Sequence, residues 1–574
     1  MYDLIIRGGK LVDGSGAPAR VADVAVDGDT IVAVGTGLGP AEREIDARGL
    51  LVAPGWVDIH THYDGQVTWD PHLTPSGWNG VTTVVMGNCG VGFAPVKPGQ
   101  EDFLIQLMEG VEDIPGAALS AGIDWRWESF PEYLDALEEM PRSVDVGTQI
   151  PHGAVRAYVM GERGAKNERA TAEDVDAMAA IVREGLHAGA LGFSTSRTLL
   201  HRAKDGELVP GTEAEDEEVL GIGRMLGEVG HGVFEVASDL APEESELQWM
   251  RRLAKETGRP VSFACLQNPT DPDQWKRLLA IVDEDAADGG NLRPQVAQRP
   301  AGLLFGFDSS FHPFRLHPSF RPLLELSSAE RHAELAKPEV RAQILSEAPN
   351  LEGQPAQTAF ITNAWPMLFS LGDPPDYEPA PDESIAARAA ALGCEPTELA
   401  YDLMLEDGFL YLPLLGYANG HLGPIREMML HDRAVFGLSD GGAHCGLVCD
   451  ASMPTFLLTY WVRDRAPERG DRLPLEFVVE GQTRRTAELY GMEDRGLVAP
   501  GMKADINVID FEALRIHAPE MVWDLPAEGR RLVQQIDGYR YTIKSGEVTY
   551  EGGSPTGALP GKLIRGPQAA PAGD

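Results

Sequence analysis

Hydrophobic and polar positions divide this 574-residue chain into two textures. At the amino end, short β-rich runs over residues 3–7, 22–26 and 30–34 alternate with Gly/Asp turns, Asp27-Gly28-Asp29 reading as a hairpin. The same texture returns over 504–509, 532–536 and 541–550, around Ser545-Gly546-Glu547. Neither set closes a sandwich alone. The pattern therefore predicts one small β-sandwich domain built from both ends of the chain, residues 1–53 and 495–552, followed by a Gly/Pro/Ala-rich extended tail over 553–574.

Between these ends the period changes. Apolar runs of strand length fall at 51–59, 81–86, 144–150, 190–194, 233–237, 260–264, 293–297 and 435–439. Amphipathic helical stretches separate several of them, at 131–139, 172–188, 215–229, 243–257 and 273–286, the second opening on Thr171 as an N-cap. Eight such repeats predict an α/β protein with a (β/α)₈ TIM-like barrel over residues 54–494. The long stretch between strands seven and eight, 300–433, is rich in Pro and aromatic residues and is expected to form a lid that shapes a substrate pocket.

Composition narrows the partners. With 43% hydrophobic and 24% charged residues the chain has ample core material, and a net charge of −40 repels nucleic acid and anionic membranes. A small-molecule substrate is the favoured partner, and self-association stays open. Five cysteines form an odd set in a long chain, which points to a reducing compartment. With no basic-then-apolar leader and no apolar run long enough to span a bilayer, the expected location is the cytoplasm.

Candidate chemistry collects at the predicted strand ends. His60 and His62 stand two residues apart after an apolar run, and period-2 geometry turns both to one face, as a metal clamp requires. A turn-forming pair without a ligand is the competing reading. Cys89 follows the second strand between glycines, either as a soft ligand or as a small buried hydrophobe. Asp440 leaves the eighth strand into a Gly-Gly turn, where a carboxylate needs a cation, a proton partner or water. His152, ending the third strand, is placed to polarise a substrate carbonyl or to serve structure; Arg197 is a candidate for a substrate carboxylate. His444, Cys445 and Cys449 read as support or packing, and His312 and His317 as a pocket wall.

Residues 51–64, 81–92, Pro151-His152-Gly153-Ala154-Val155-Arg156, 189–195, Ser439-Asp440-Gly441 and Gly501-Met502-Lys503-Ala504-Asp505 resemble the amidohydrolase superfamily, and more narrowly its N-acyl-D-amino-acid deacylase (D-aminoacylase-like) branch. The resemblance implies that His60, His62 and Cys89 are metal ligands and Asp440 the catalytic aspartate. It also exposes a departure: the family's histidines at the ends of strands five and six are absent from 233–239 and 262–267, where Cys265 is the remaining candidate ligand or a structural thiol. The expectation is one divalent ion, zinc first, held by His60, His62 and Asp440 with Cys89 as a further candidate. The implied reaction is hydrolysis of a C–N amide bond by metal-activated water, with Asp440 as general base and then acid. The alternatives are a hydrolase of a cyclic imide or xenobiotic aryl amide, and an amidohydrolase fold that has lost catalysis and serves in binding.

Overall fold

The computed structural model describes residues 1–354, 356–406 and 408–571. Its centre is a set of parallel strands. Trp56–Asp58, Val81–Met86 and Asp145–Thr148 pair in that order in one sheet. Ile150–Pro151, Gly192–Arg197, Val233–Ser238, Val261–Ala264, Leu292–Val296 and Val435–Phe436 follow in a six-stranded sheet. Asp145–Thr148 and Ile150–Pro151 are two pieces of one run, broken at Gln149, whose amide donates to Met86 O at 2.9 Å. At the opposite seam Asp440 N donates to His60 O at 3.1 Å and His62 N to Gly441 O at 2.8 Å, so the segments leaving the first and last strands are tied together. Val81–Met86 is buried along its whole length, as expected of a parallel strand covered on both faces.

The helices between the strands carry the predicted pattern. In Ala172–Ala188 the Thr171 hydroxyl accepts from Asp174 N while Thr171 N donates to Asp174 Oδ2, a capping box that satisfies two of the free amides at the helix start. Met178, Val182 and Leu186, four residues apart, form its buried stripe.

Strands from both termini combine in one hydrogen-bonded nine-stranded sheet. The first strand, Tyr2–Leu11, links its parts: its register breaks between Ile6 and Gly9, and its two halves take different parallel neighbours, Ala41–Asp46 and Leu51–Pro54. Leu51–Pro54 also pairs with Ile506–Ile509, so the apolar run predicted over 51–59 is divided at Gly55 between two sheets. The expected strand at 532–536 is absent from this sheet. It lies in Gly529–Asp537, which pairs with Arg515–Leu525 as a separate ribbon. That ribbon leans on the Asp440 loop through Leu532 N and Cys445 O, 2.7 Å apart.

Within residues 300–433, Ala301–Phe305, Phe369–Ser370 and Leu410–Leu415 form an antiparallel sheet over a core that includes Phe307, Phe314, Phe320 and Tyr401. His312 and His317 are buried beside this core: His312 packs edge-on against Phe320, and His317 Nδ1 contacts Ile344 O at 2.9 Å. The tail runs extended beside Asp145–Thr148, with Ile564 N donating to Val146 O at 2.8 Å. No helix among the described residues is long and apolar enough to cross a membrane.

The terminal sheet is joined to the parallel strands by buried charge. Asp145 Oδ2 lies 2.7 Å from Arg495 Nη1 and 3.1 Å from Lys544 Nζ, and Lys544 also meets Asp505 at 2.8 Å. Lys544 and Asp145 are buried, so either partner left alone would be an uncompensated charge in the interior. Asp145→Asn is expected to lower unfolding free energy by about 3–5 kcal/mol in urea titrations; an unchanged midpoint would remove this network from the fold's foundations.

Candidate metal centre

His60 and His62 lie just beyond Trp56–Asp58, at the carboxyl-terminal end of the parallel strands, with ring centroids 5.5 Å apart. Burial holds both imidazoles below their ordinary pKa, His62 well below, so each presents a neutral lone pair. The carbonyl of Gln295 accepts from His60 Nδ1 at 3.0 Å, which leaves Nε2 facing the centre. Cys89 Sγ stands 3.4 Å from that Nε2. One donor atom each from His60, His62 and Cys89 lies within 4.8 Å of the others. Asp440 Oδ1 completes the group, 3.4 Å from His60 Nε2 and 3.8 Å from His62 Nε2.

The loop around Cys89 is built for close packing. A side chain on Gly87 would meet Gln149 O at 2.3 Å, and one on Gly90 would meet Ser196 N at 2.8 Å. These glycines therefore fit the loop against neighbouring backbone. Cys89, Asp440 and His444 all take left-handed backbone angles, φ 55°, 48° and 51°. Each costs about 1–3 kcal/mol for such residues, strain of the kind that accompanies functional sites.

Three further side chains reach this centre from places that strand periodicity does not mark. Glu235, inside Val233–Ser238, accepts from Cys89 N at 2.9 Å, and burial raises its carboxyl to about 7. Glu112 closes the helix Glu101–Glu112, its Oε1 3.3 Å from His62 Nδ1 and its Oε2 3.6 Å from His444 Nε2. His444 Nε2 is also 3.8 Å from Asp440 Oδ2. A charged residue in the otherwise apolar Val233-Phe234-Glu235-Val236 was the signal available for Glu235; Glu112 has no comparable mark.

Three of the expected site residues are engaged elsewhere. His152 gives Nδ1 to Thr195 at 2.8 Å and Nε2 to Glu218 at 3.0 Å, so neither ring nitrogen is left for a substrate carbonyl. Arg197 is paired with Glu246 at 3.0 Å and lies over Trp249, which neutralises the guanidinium proposed for a carboxylate. Cys265 packs against Met428 with Sγ and Sδ 3.8 Å apart, and burial pushes its thiol up to about 12. It stands outside the His60–His62–Cys89 group.

The donor set fits a divalent cation. Two neutral imidazoles, a thiol and a carboxylate are a zinc-type combination. Among the described residues, Glu235 Oε1 is buried with no hydrogen-bond partner, a polar atom that the fold alone leaves unsatisfied. Beside Asp440 a cleft opens, lined by Gln66, Pro75, Cys445, Cys449 and Arg531.

Comparison with known proteins shows the family. The model of the amidohydrolase family matches residues 43–550. D-aminoacylase of Alcaligenes xylosoxydans xylosoxydans is 35% identical over 234 residues, which are 41% of this chain and 43% of that protein, so the chain spans less than half the length of that relative. N-acyl-D-glutamate deacylase of the same organism is 25% identical over 572 residues, 98% of this chain and 96% of the relative. A solved structure of D-aminoacylase, described by its binuclear metal centre, matches at a TM-score of 0.65 and 24% identity, covering 98% of this chain and 100% of that one.

The reassignment of His152 is testable. Burial raises the Glu218 carboxyl, but hydrogen bonds and charge from His152 and Arg156 outweigh it and hold it down to about 2, against an ordinary 4.5. Its contribution to stability is thus complete above about pH 4.5 and is lost as pH falls toward 2. His152→Ala is expected to cost about 1–3 kcal/mol at pH 7, with a deficit that narrows over that acid range and with metal content unchanged. Loss of metal at full stability would return His152 to the site.

Proposed function

The chain belongs to the amidohydrolase family, and from that premise we propose that it is a metal-dependent hydrolase of a C–N amide bond, of the N-acyl-D-amino-acid deacylase kind. The observation that carries the reading is the convergence of His60, His62, Cys89 and Asp440 at the ends of parallel strands. We take the eight strands as a (β/α)₈ barrel, in which this end is the catalytic one. Retention of all four donor residues counts against a fold that has lost catalysis. The relatives' names support an acyl-amino-acid substrate. With five free cysteines, the cytoplasm is the proposed compartment.

His60, His62, Cys89 and Asp440 would hold the cation, with zinc the proposed ion for this donor set. When bound, a divalent cation supplies Lewis acidity, lowering the pKa of water and polarising a carbonyl. Asp440 stands at the open side of the centre, its side chain 22% exposed. Burial raises its carboxyl above the ordinary carboxylate value, which improves its match to a proton from attacking water. The same oxygen then returns that proton to the departing amide nitrogen. The hydrogen bond from Asp440 N to His60 O fixes this carboxylate relative to the first strand. Residues 300–433 meet the Asp440 loop through Leu304 N and Leu447 O, 2.7 Å apart, and are proposed to wall the substrate space.

A second reading, hydrolysis of a neutral cyclic imide or aryl amide, is favoured by the pairing of Arg197 with Glu246, which removes one carboxylate anchor. Turnover of N-acetyl-D-amino acids, N-acetyl-L-amino acids, cyclic imides and anilides by zinc-loaded protein decides between them. The deacylase reading expects cleavage of the D-series alone. Asp440→Asn is expected to lower kcat by about 10²–10⁴-fold; undiminished turnover would rule out the proton-transfer role.

A further inference from the structure

We propose that a pocket at the amino-terminal ends of the parallel strands, framed by Arg259, Arg293 and Arg485, binds a phosphate group, either free or carried by a small phosphomonoester. The pocket measures about 330 Å³, within the range of about 300–1,000 Å³ usual for small-ligand sites. It lies at the far end of the strands from His60 and His62. Arg259 precedes Val261–Ala264, Arg293 is the second residue of Leu292–Val296, and Ala434 leads into Val435–Phe436, three strands that are neighbours in one sheet. Pro260, Val435 and Leu489 add an apolar lining.

The guanidiniums are held by uncharged acceptors. Arg259 donates from Nη1 to Gly230 O at 3.2 Å and from Nε to Gly232 O at 3.3 Å. Arg293 Nε donates to Asn291 Oδ1 at 2.8 Å, and Arg485 Nη2 to Asp432 O at 2.5 Å. Each group keeps further N–H donors beyond these. Among the described residues, no carboxylate lies within 4.0 Å of any of the three, nor of neighbouring Arg433. In a chain with 88 acidic and 48 basic side chains, other arginines do find carboxylates, as Arg277 finds Asp271 at 2.5 Å. The acidic residues of the lining do not fill the place: Glu488 turns to Arg484 at 3.5 Å, and both it and Glu493 are exposed.

Burial lowers the pKa of Arg293, the charges of Arg433 and Arg485 lower it further, and burial lowers that of Arg259. These cations have given up water and repel one another without a counterion, a condition that a bound dianion relieves. Phosphate fits because guanidinium meets its oxygens in a bidentate fork, and because its charge of about −1.5 to −2 near neutrality answers several converging cations. The net charge of −40 repels anions at a distance, so an anion bound here is bound by these contacts.

The test is isothermal titration of the full chain as purified with inorganic phosphate and, separately, with glycerol 3-phosphate, at fixed ionic strength in sodium chloride. Wild type is expected to bind saturably. Arg293→Gln and Arg485→Gln are each expected to weaken binding by about tenfold or more, with metal content unchanged and a cooperative melt retained; using both guards against misfolding of either. Equal affinity for the two probes supports free phosphate as the ligand, and tighter binding of glycerol 3-phosphate supports an esterified one. Wild type that binds neither probe, or folded variants that bind as wild type does, as phosphate lodged on a metal ion would give, would overturn the site.

Discussion

A cluster of buried carboxyl groups without fixed positive charge beside them is the constraint around which this molecule is arranged. Asp58, Asp64, Glu112 and Glu235 are buried and Asp440 half-buried beside them, all at one end of the parallel strands. Burial pushes Asp58, Asp64 and Glu235 up to about 7, and Glu112 well above its ordinary value. Elsewhere the same chain pairs its buried carboxylates with arginine or lysine, as in Asp145 with Arg495, Asp450 with Arg299 and Glu378 with Arg465. The contrast marks the carboxyl-terminal end of the strands as a place kept for a mobile cation. The strained backbone at Cys89, Asp440 and His444 is tolerated there because hydrogen bonds from several elements over-determine it.

Those parts of the centre that lie on the strand period were legible in the sequence. His60 and His62 follow an apolar run, and Asp440 leaves another into a Gly-Gly turn, so alternation and turn chemistry locate them. The alternation of strands and helices was equally open, because each helix carries its own buried stripe and two of them, after Ser129 and Thr171, open on a capping box. Glu112 was not legible, and His444 was legible only as support or packing beside Asp440. One ends a helix and the other lies in a loop, and their meeting depends on a tertiary hydrogen bond between segments more than three hundred positions apart.

His152 and Arg197 show the converse limit. Both leave strands toward the expected face, yet each is neutralised by a glutamate from a later helix, Glu218 in Asp216–Val229 and Glu246 in Glu243–Thr257. Strand position announces where a side chain starts; whether it stays available depends on partners that no local pattern names. The ribbon of Arg515–Leu525 and Gly529–Asp537 is a similar case, since two strands with ordinary alternation pair equally well with each other as with a larger sheet.

The shared terminal sheet also governs the order in which the protein can be made. Leu51–Pro54, directly before the first metal-ligating segment, takes Ile506–Ile509 as a neighbour, and Val57 and Ile59 pack in a cluster with Ile564. While the chain emerges from the ribosome, the His60–His62 strand therefore waits for partners synthesised some four hundred and fifty residues later. Until then the imidazoles stand on a strand that lacks its late-made neighbours, so the metal-ligating segment reaches its final packing only when nearly the whole chain has been synthesised.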